Sequence, residues 1–204
     1  GYPSFSYVIK AVELQEDLLA AKVENANKTE NKTSVNLAFK HILTQINFSA
    51  ELESGVTYTV TKIEIMDVNN TGTFTYGTGD VVGAWSSLSG KISYEYAGKY
   101  DATATDNVAD FSTNANALML LPQTLSADAK IAVTYSAVKN GFTTFTGTKE
   151  VSLKDKVWGI GKNLRYTLKL SSDATEVVFT PSVSEWTDET PQPDPVTPVT
   201  PPTE

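Results

Sequence analysis

An all-β sandwich is the fold this sequence predicts. Three observations carry it: short stretches of alternating polarity recur along the chain, turn clusters separate them, and Thr, Val, Tyr and Phe are abundant within them. Such residues suit a pleated, half-buried surface, and alternation at period two sends one parity inward and the other into water. With 204 residues, the chain is long enough to bury a sizeable core.

The first strand is expected at Phe5-Ser6-Tyr7-Val8-Ile9, directly after Gly1-Tyr2-Pro3. This start reads as the cut end of a longer polypeptide, with the strand's hairpin partner missing. Residues 12–23 carry the one helical pattern, since Leu14, Leu18 and Ala21 recur at spacings of three and four. Residues 25–33, rich in Asn, Lys and Thr, read as a linker or long hairpin loop. Strands are then expected at 35–39, 42–52, 58–66, 73–76, 92–96, 117–121, 131–138, 142–153, 164–170 and 176–183. Turns are expected at Asp67-Val68-Asn69-Asn70-Thr71-Gly72, Gly77-Thr78-Gly79-Asp80 and Lys139-Asn140-Gly141.

Strand phase adds detail. Val35, Leu37 and Phe39 are odd-numbered, whereas Ile42, Ile46, Phe48, Ala50 and Leu52 are even. A bulge near Lys40-His41 would keep both sets inside. Near the C-terminus, Gly159 and Gly161 supply a turn into a strand whose Tyr166, Leu168 and Leu170 share one parity while Arg165, Thr167 and Lys169 share the other. That pattern predicts an antiparallel strand with one wet face. Val177-Val178-Phe179 and Ser184-Glu185-Trp186 follow, with Trp158 and Trp186 as structural anchors. The expected core is Phe39, Ile46, Phe48, Ile63, Ile65, Leu118, Leu120, Ile131, Val133, Tyr135, Tyr166, Leu168 and Leu170. Residues 188–204 are dense in Pro and Thr and read as an extended spacer docked on a surface through Val196 and Val199. Their prolines cannot donate to a ladder, which argues against a full donor strand.

Charge and composition exclude several function classes. A formal net charge of -8 with scattered lysines offers little to a phosphate backbone, so no nucleic-acid partner is expected. No stretch approaches the roughly 18 apolar residues of a membrane span. Cys is absent, which removes disulfides and thiolate metal sites.

The search for chemistry leaves the sites for catalysis, metal and cofactors empty. His41 is the one histidine, set in an apolar strand, and reads as an imidazole bonded to backbone rather than as a base. Asp80, Asp101, Asp106 and Asp110 lie in polar loops; a hydrolase would need two carboxylates converging in a cleft. The segment from Asp67 starts like a calcium loop but lacks the later ligands, and Gly77-Thr78-Gly79-Asp80 lacks the helix that follows a phosphate cradle. Aromatics give one candidate: Trp85, Tyr94, Tyr96 and Tyr100 fall in one region and could stack on sugars, although Tyr94 and Tyr96 share parity with Ile92 and suit a core stripe.

The wording of Gln15-Glu16-Asp17-Leu18-Leu19, Phe39-Lys40-His41-Ile42-Leu43 and the run from Val157 through Leu170 to Trp186 resembles the fimbrillin-like (Mfa-like, FimA-like) surface proteins of Bacteroidetes. The resemblance implies transthyretin-like Greek-key sandwiches: residues 1–33 closing a partial N-terminal subdomain and its linker, 34–187 forming the main sandwich, and 188–204 the tail. It implies that 12–23 is extended despite its helical spacing. It also implies a cell-surface, outer-membrane location and a role as structural, accessory or tip subunit of a fimbria. Assembly would be by strand addition onto other pilus subunits, with adhesion to host or microbial glycans or proteins. Some members are cleaved after Arg near the start; Arg165 lies within an expected strand, so a site of that type would lie upstream of Gly1. A carbohydrate-binding β-sandwich centred on Trp85 is the alternative.

Overall fold

A computed structural model describes residues 3–24, 35–96, 108–111, 117–173 and 177–186. The linker 25–33, Tyr100 and the tail 188–204 fall outside these residues or almost entirely so. Among the described residues the regular elements are all strands, apart from one 3-10 turn at Val12–Leu14. The helical spacing of 12–23 therefore yields to an extended course, ending in β2 (Leu19–Ala20) against β3 (Lys40–His41).

The first large sheet is wholly antiparallel and is organised by one long strand. After β1 (Ser4–Val8) and β4 (Thr44–Glu51), strand β5 runs from Val56 to Tyr76. Its first half pairs with β10 (Lys130–Lys139), which pairs with β11 (Phe142–Ser152). Its second half is flanked by β1 and by β6 (Gly83–Glu95). Strand β1 thus finds its partner in β5, distant in sequence, with Phe5 standing opposite Phe74.

Strand β5 also absorbs the turn expected at 67–72. Its buried residues are Val56, Tyr58 and Val60, then Ile63 and Ile65, then Val68 and Phe74, so parity flips twice. The pairing register shifts at those two places, opposite Thr134/Tyr135 and between Ile65 and Val68, where Asp67 takes φ 59. An extra residue at each bulge returns the apolar set to the core. Asp tolerates the left-handed region better than most residues.

The second large sheet orders β14 (Val178–Glu185), β13 (Lys162–Lys169), β4 and β7 (Val108–Asp110), with β8 (Leu118–Leu120) also on β4. Strand β13 is antiparallel to β14 but parallel to β4, a correction to its purely antiparallel expectation. Ile46, Phe48 and Ala50 of β4 pack inward, and Asn47 and Ser49 on the other face are also buried. Those polar groups are matched sideways: Asn47 Nδ2 donates to Asn163 Oδ1 at 3.2 Å, and the Ser49 and Thr167 hydroxyls lie 2.9 Å apart. Pairing of this kind avoids the cost of an unsatisfied buried group. A short ladder of β9 (Gln123–Thr124) and β12 (Val157–Trp158) completes the strands.

The two sheets share one core, in which Phe48, Tyr166 and Leu168 meet Ile63, Ile65, Val133 and Tyr135. Its large rings keep their polar tips bonded: Trp158 Nε1 donates to Tyr166 Oη at 2.8 Å, and Tyr135 Oη donates to the Ser171 carbonyl at 2.9 Å. Of the expected core, Phe39 is the exception. It is 61% exposed, as are Val35 at 47% and Leu37 at 53%, because residues 35–39 form no strand and the ladder begins only at Lys40. No bulge at Lys40-His41 is needed.

Candidate functional site

Three of the four aromatics of the sugar-stacking candidate, Trp85, Tyr94 and Tyr96, lie among the described residues. Trp85 is half-buried against Phe5 and Phe74, with ring centroids 6.3 and 5.4 Å away, and its Nε1 donates to the Ile42 carbonyl at 2.6 Å. Tyr94 and Tyr96 point into the main core, where their hydroxyls donate to the carbonyls of Ile9 and Phe111. Burial pushes the Tyr94 hydroxyl up to about 12. A stacking site needs a free ring face, and these two rings offer none, as their shared parity with the core stripe anticipated. Tyr100 lies outside the described residues.

His41 is buried on β3, with Nδ1 2.7 Å from Asp17 Oδ2 and its ring stacked on Trp186 at 3.9 Å between centroids. One partner is thus a carboxylate from the N-terminal arm, which the sequence does not mark. Gln15 holds the same arm: its Oε1 accepts from Met119 N–H at 2.8 Å and its Nε2 donates to the Lys10 carbonyl at 3.4 Å. Leu18 contributes its carbonyl to Ile42 N–H at 3.0 Å. Gln15, Asp17 and Leu18 therefore clamp the arm across the sandwich, and His41 joins it to the end of β14. The described residues hold no group of three His, Asp or Glu side chains able to bind a metal. Asp110 pairs with Arg165 at 3.0 Å.

What remains to interact with partners is the set of sheet edges. Three long strands, β6, β11 and β14, lie at the margins of the two sheets among the described residues. Strand β14 carries Pro181 opposite Tyr166, and proline has no N–H to offer a neighbour. Strand β6 is broken by left-handed residues at Ser87 (φ 52) and Gly90 (φ 72), with a register shift opposite Thr71/Thr73. Bulges and prolines of this sort blunt an edge. Strand β11 keeps an uninterrupted register with β10 from Phe145 to Ser152 and contains no proline. Sequence reading located β11 but not the contrast among edges, which depends on knowing which strands are marginal.

Comparisons with known proteins agree with this architecture. The fimbrillin-like family matches residues 8–186. A fimbrial protein from Bacteroides vulgatus ATCC 8482 has a similar crystal structure, with a TM-score of 0.71 at 20% identity, covering 92% of this chain and 69% of that one. A candidate cell adhesion protein from Bacteroides uniformis ATCC 8492 follows at 0.58 and 16%, covering 90% of this chain and 66% of that one. At such identities the likeness shows the fold, and the chain spans about two thirds of those proteins' lengths. No curated protein matches the sequence. With a family match that runs from β1 to the residue after β14, the chain belongs to the fimbrillin-like family.

Proposed function

We propose that this chain is a structural or accessory subunit of a cell-surface fimbria at the outer membrane, assembling by strand addition and contributing to adhesion. The observation that carries the reading is family membership over residues 8–186. An all-β body with marginal strands supports it, because an extended segment of a neighbour gains main-chain hydrogen bonds from an edge and register from alternate side chains. Transthyretin-like Greek-key connectivity and the division at residues 33 and 187 belong to the same proposal. Glycan capture through Trp85 has less support, since its ring is packed on Phe5 and Phe74.

Immunogold electron microscopy of sheared fimbriae, from cells with and without the gene, tests the proposal. Label along the filaments or at their tips, lost in the deletion strain, is the expected result. Filaments without label on cells that carry and express the gene would overturn it.

A further inference from the structure

Among the three long marginal strands, β11 combines an unbroken stretch of register with the absence of proline. Strand β11 has eleven residues, and its midpoint is Gly147. Its register with β10 slips at Thr144, so an antiparallel partner centred on Gly147 pairs the unbroken stretch from Phe145 to Lys149 with itself, its two-fold axis beside Gly147. In that register Thr146 stands opposite the second copy's Thr148 and Phe145 opposite Lys149. Opposed residues share a face in an antiparallel ladder, and a two-fold axis perpendicular to the sheet keeps each face on its own side.

The sequence is self-complementary in this register. Lys149 and Glu150 are the charges of the strand, and neither meets its like. Lys149 already places its ammonium 5.3 Å from the Phe145 ring centroid within one strand, and pairing brings the same two residue types together across the junction. Thr144, Thr146 and Thr148 are all exposed, and threonines facing across a ladder pair favourably. Centring the axis on Lys149 instead would oppose that lysine to itself. Strands β6 and β14 cannot be used in the same way because of Ser87, Gly90 and Pro181.

We infer that two copies of this chain join through antiparallel β11–β11 pairing centred on Gly147, fusing their large antiparallel sheets into one. The inference rests on the edge geometry alone and stands whether or not the chain belongs to a filament.

Light scattering on the whole chain, with two double variants at exposed sites, tests it. The unaltered chain is expected to have twice the monomer mass at high concentration. T146K/T148K sets lysine against lysine twice and is expected to be monomeric, whereas T146K/T148E sets lysine against glutamate twice and stays dimeric. Circular dichroism checks that both variants fold. Because the chain lacks Cys, a mixture of T146C and T148C chains should also cross-link on mild oxidation far more than either alone. A monomeric unaltered chain, equal masses for the two charge variants, or cross-linking no greater in the mixture would each overturn the inference.

Discussion

The imidazole of His41 and the indole of Trp186 lie face to face, 3.9 Å between centroids and 7° from parallel. Asp17 closes the group from the N-terminal arm. Three segments far apart in sequence meet at one buried ring, so a single substitution should loosen both ends of the chain. His41→Ala removes the stack and the hydrogen bond to Asp17, and is expected to cost about 1–2 kcal/mol. Urea denaturation measures this, and faster proteolytic nicking within residues 10–22 should accompany it. An unchanged midpoint would show that the cluster is decorative.

Phe48 is fully buried between Tyr96, 4.9 Å away, and Tyr166, 6.0 Å away. Phe48→Ala leaves a void among rings that cannot collapse onto it, with an expected loss of about 3–5 kcal/mol. A thermal melt within a degree or so of the unaltered protein would contradict the packing of β4 against the opposite sheet.

Alkaline pH should weaken the fold through its buried tyrosines. Burial raises Tyr58 and Tyr94 from 10.0 to about 12, so the folded state holds protons that the unfolded state releases. Their contribution is fully present below the unfolded value of about 10 and is lost as pH rises through about 12. Urea midpoints should be flat from about pH 8 to 9.5 and fall steeply above it. Tyr94→Phe should flatten part of that fall, and a variant curve parallel to the unaltered one would refute the assignment.

Asp67 holds β5 in register by adopting φ 59 at the bulge. A β-branched side chain is strained there, so Asp67→Val should cost about 1–2 kcal/mol while Asp67→Gly is close to neutral. Equal effects of the two substitutions would mean that backbone conformation is not the controlling factor.

The legible parts of this fold were those encoded by neighbours in sequence. Asn140 and Gly141, at φ 53 and 81, make the two-residue turn their identities predict, and the alternation on either side makes β10 and β11. Tyr94 and Tyr96 lie on the core side, as parity with Ile92 suggested, although Ile92 itself is 43% exposed. Position in the sheet decided the rest. Asn69, Asn70 and Gly72 have turn propensity, yet β1 and β6 pair with this stretch from both sides and hold it extended. Phe39 alternates like a core residue, but nothing in a sequence says whether a strand exists to bury it. The Asp17–His41 pair spans 24 positions without periodicity to mark it.

The parallel pairing of β4 with β13 fixes the order in which this chain can be completed. Ser49 waits for Thr167, 118 residues later, and Thr44 for the carbonyl of Gly159. Contacts so distant close late, because the loop entropy must be met before they form. During synthesis from the N-terminus, β4 therefore emerges as an apolar strand whose flank remains bare until nearly the whole sandwich has been made. A ribosome stalled before residue 163 would release a chain without its central seam, and such a fragment should be a substrate for chaperones and proteases rather than a smaller stable domain.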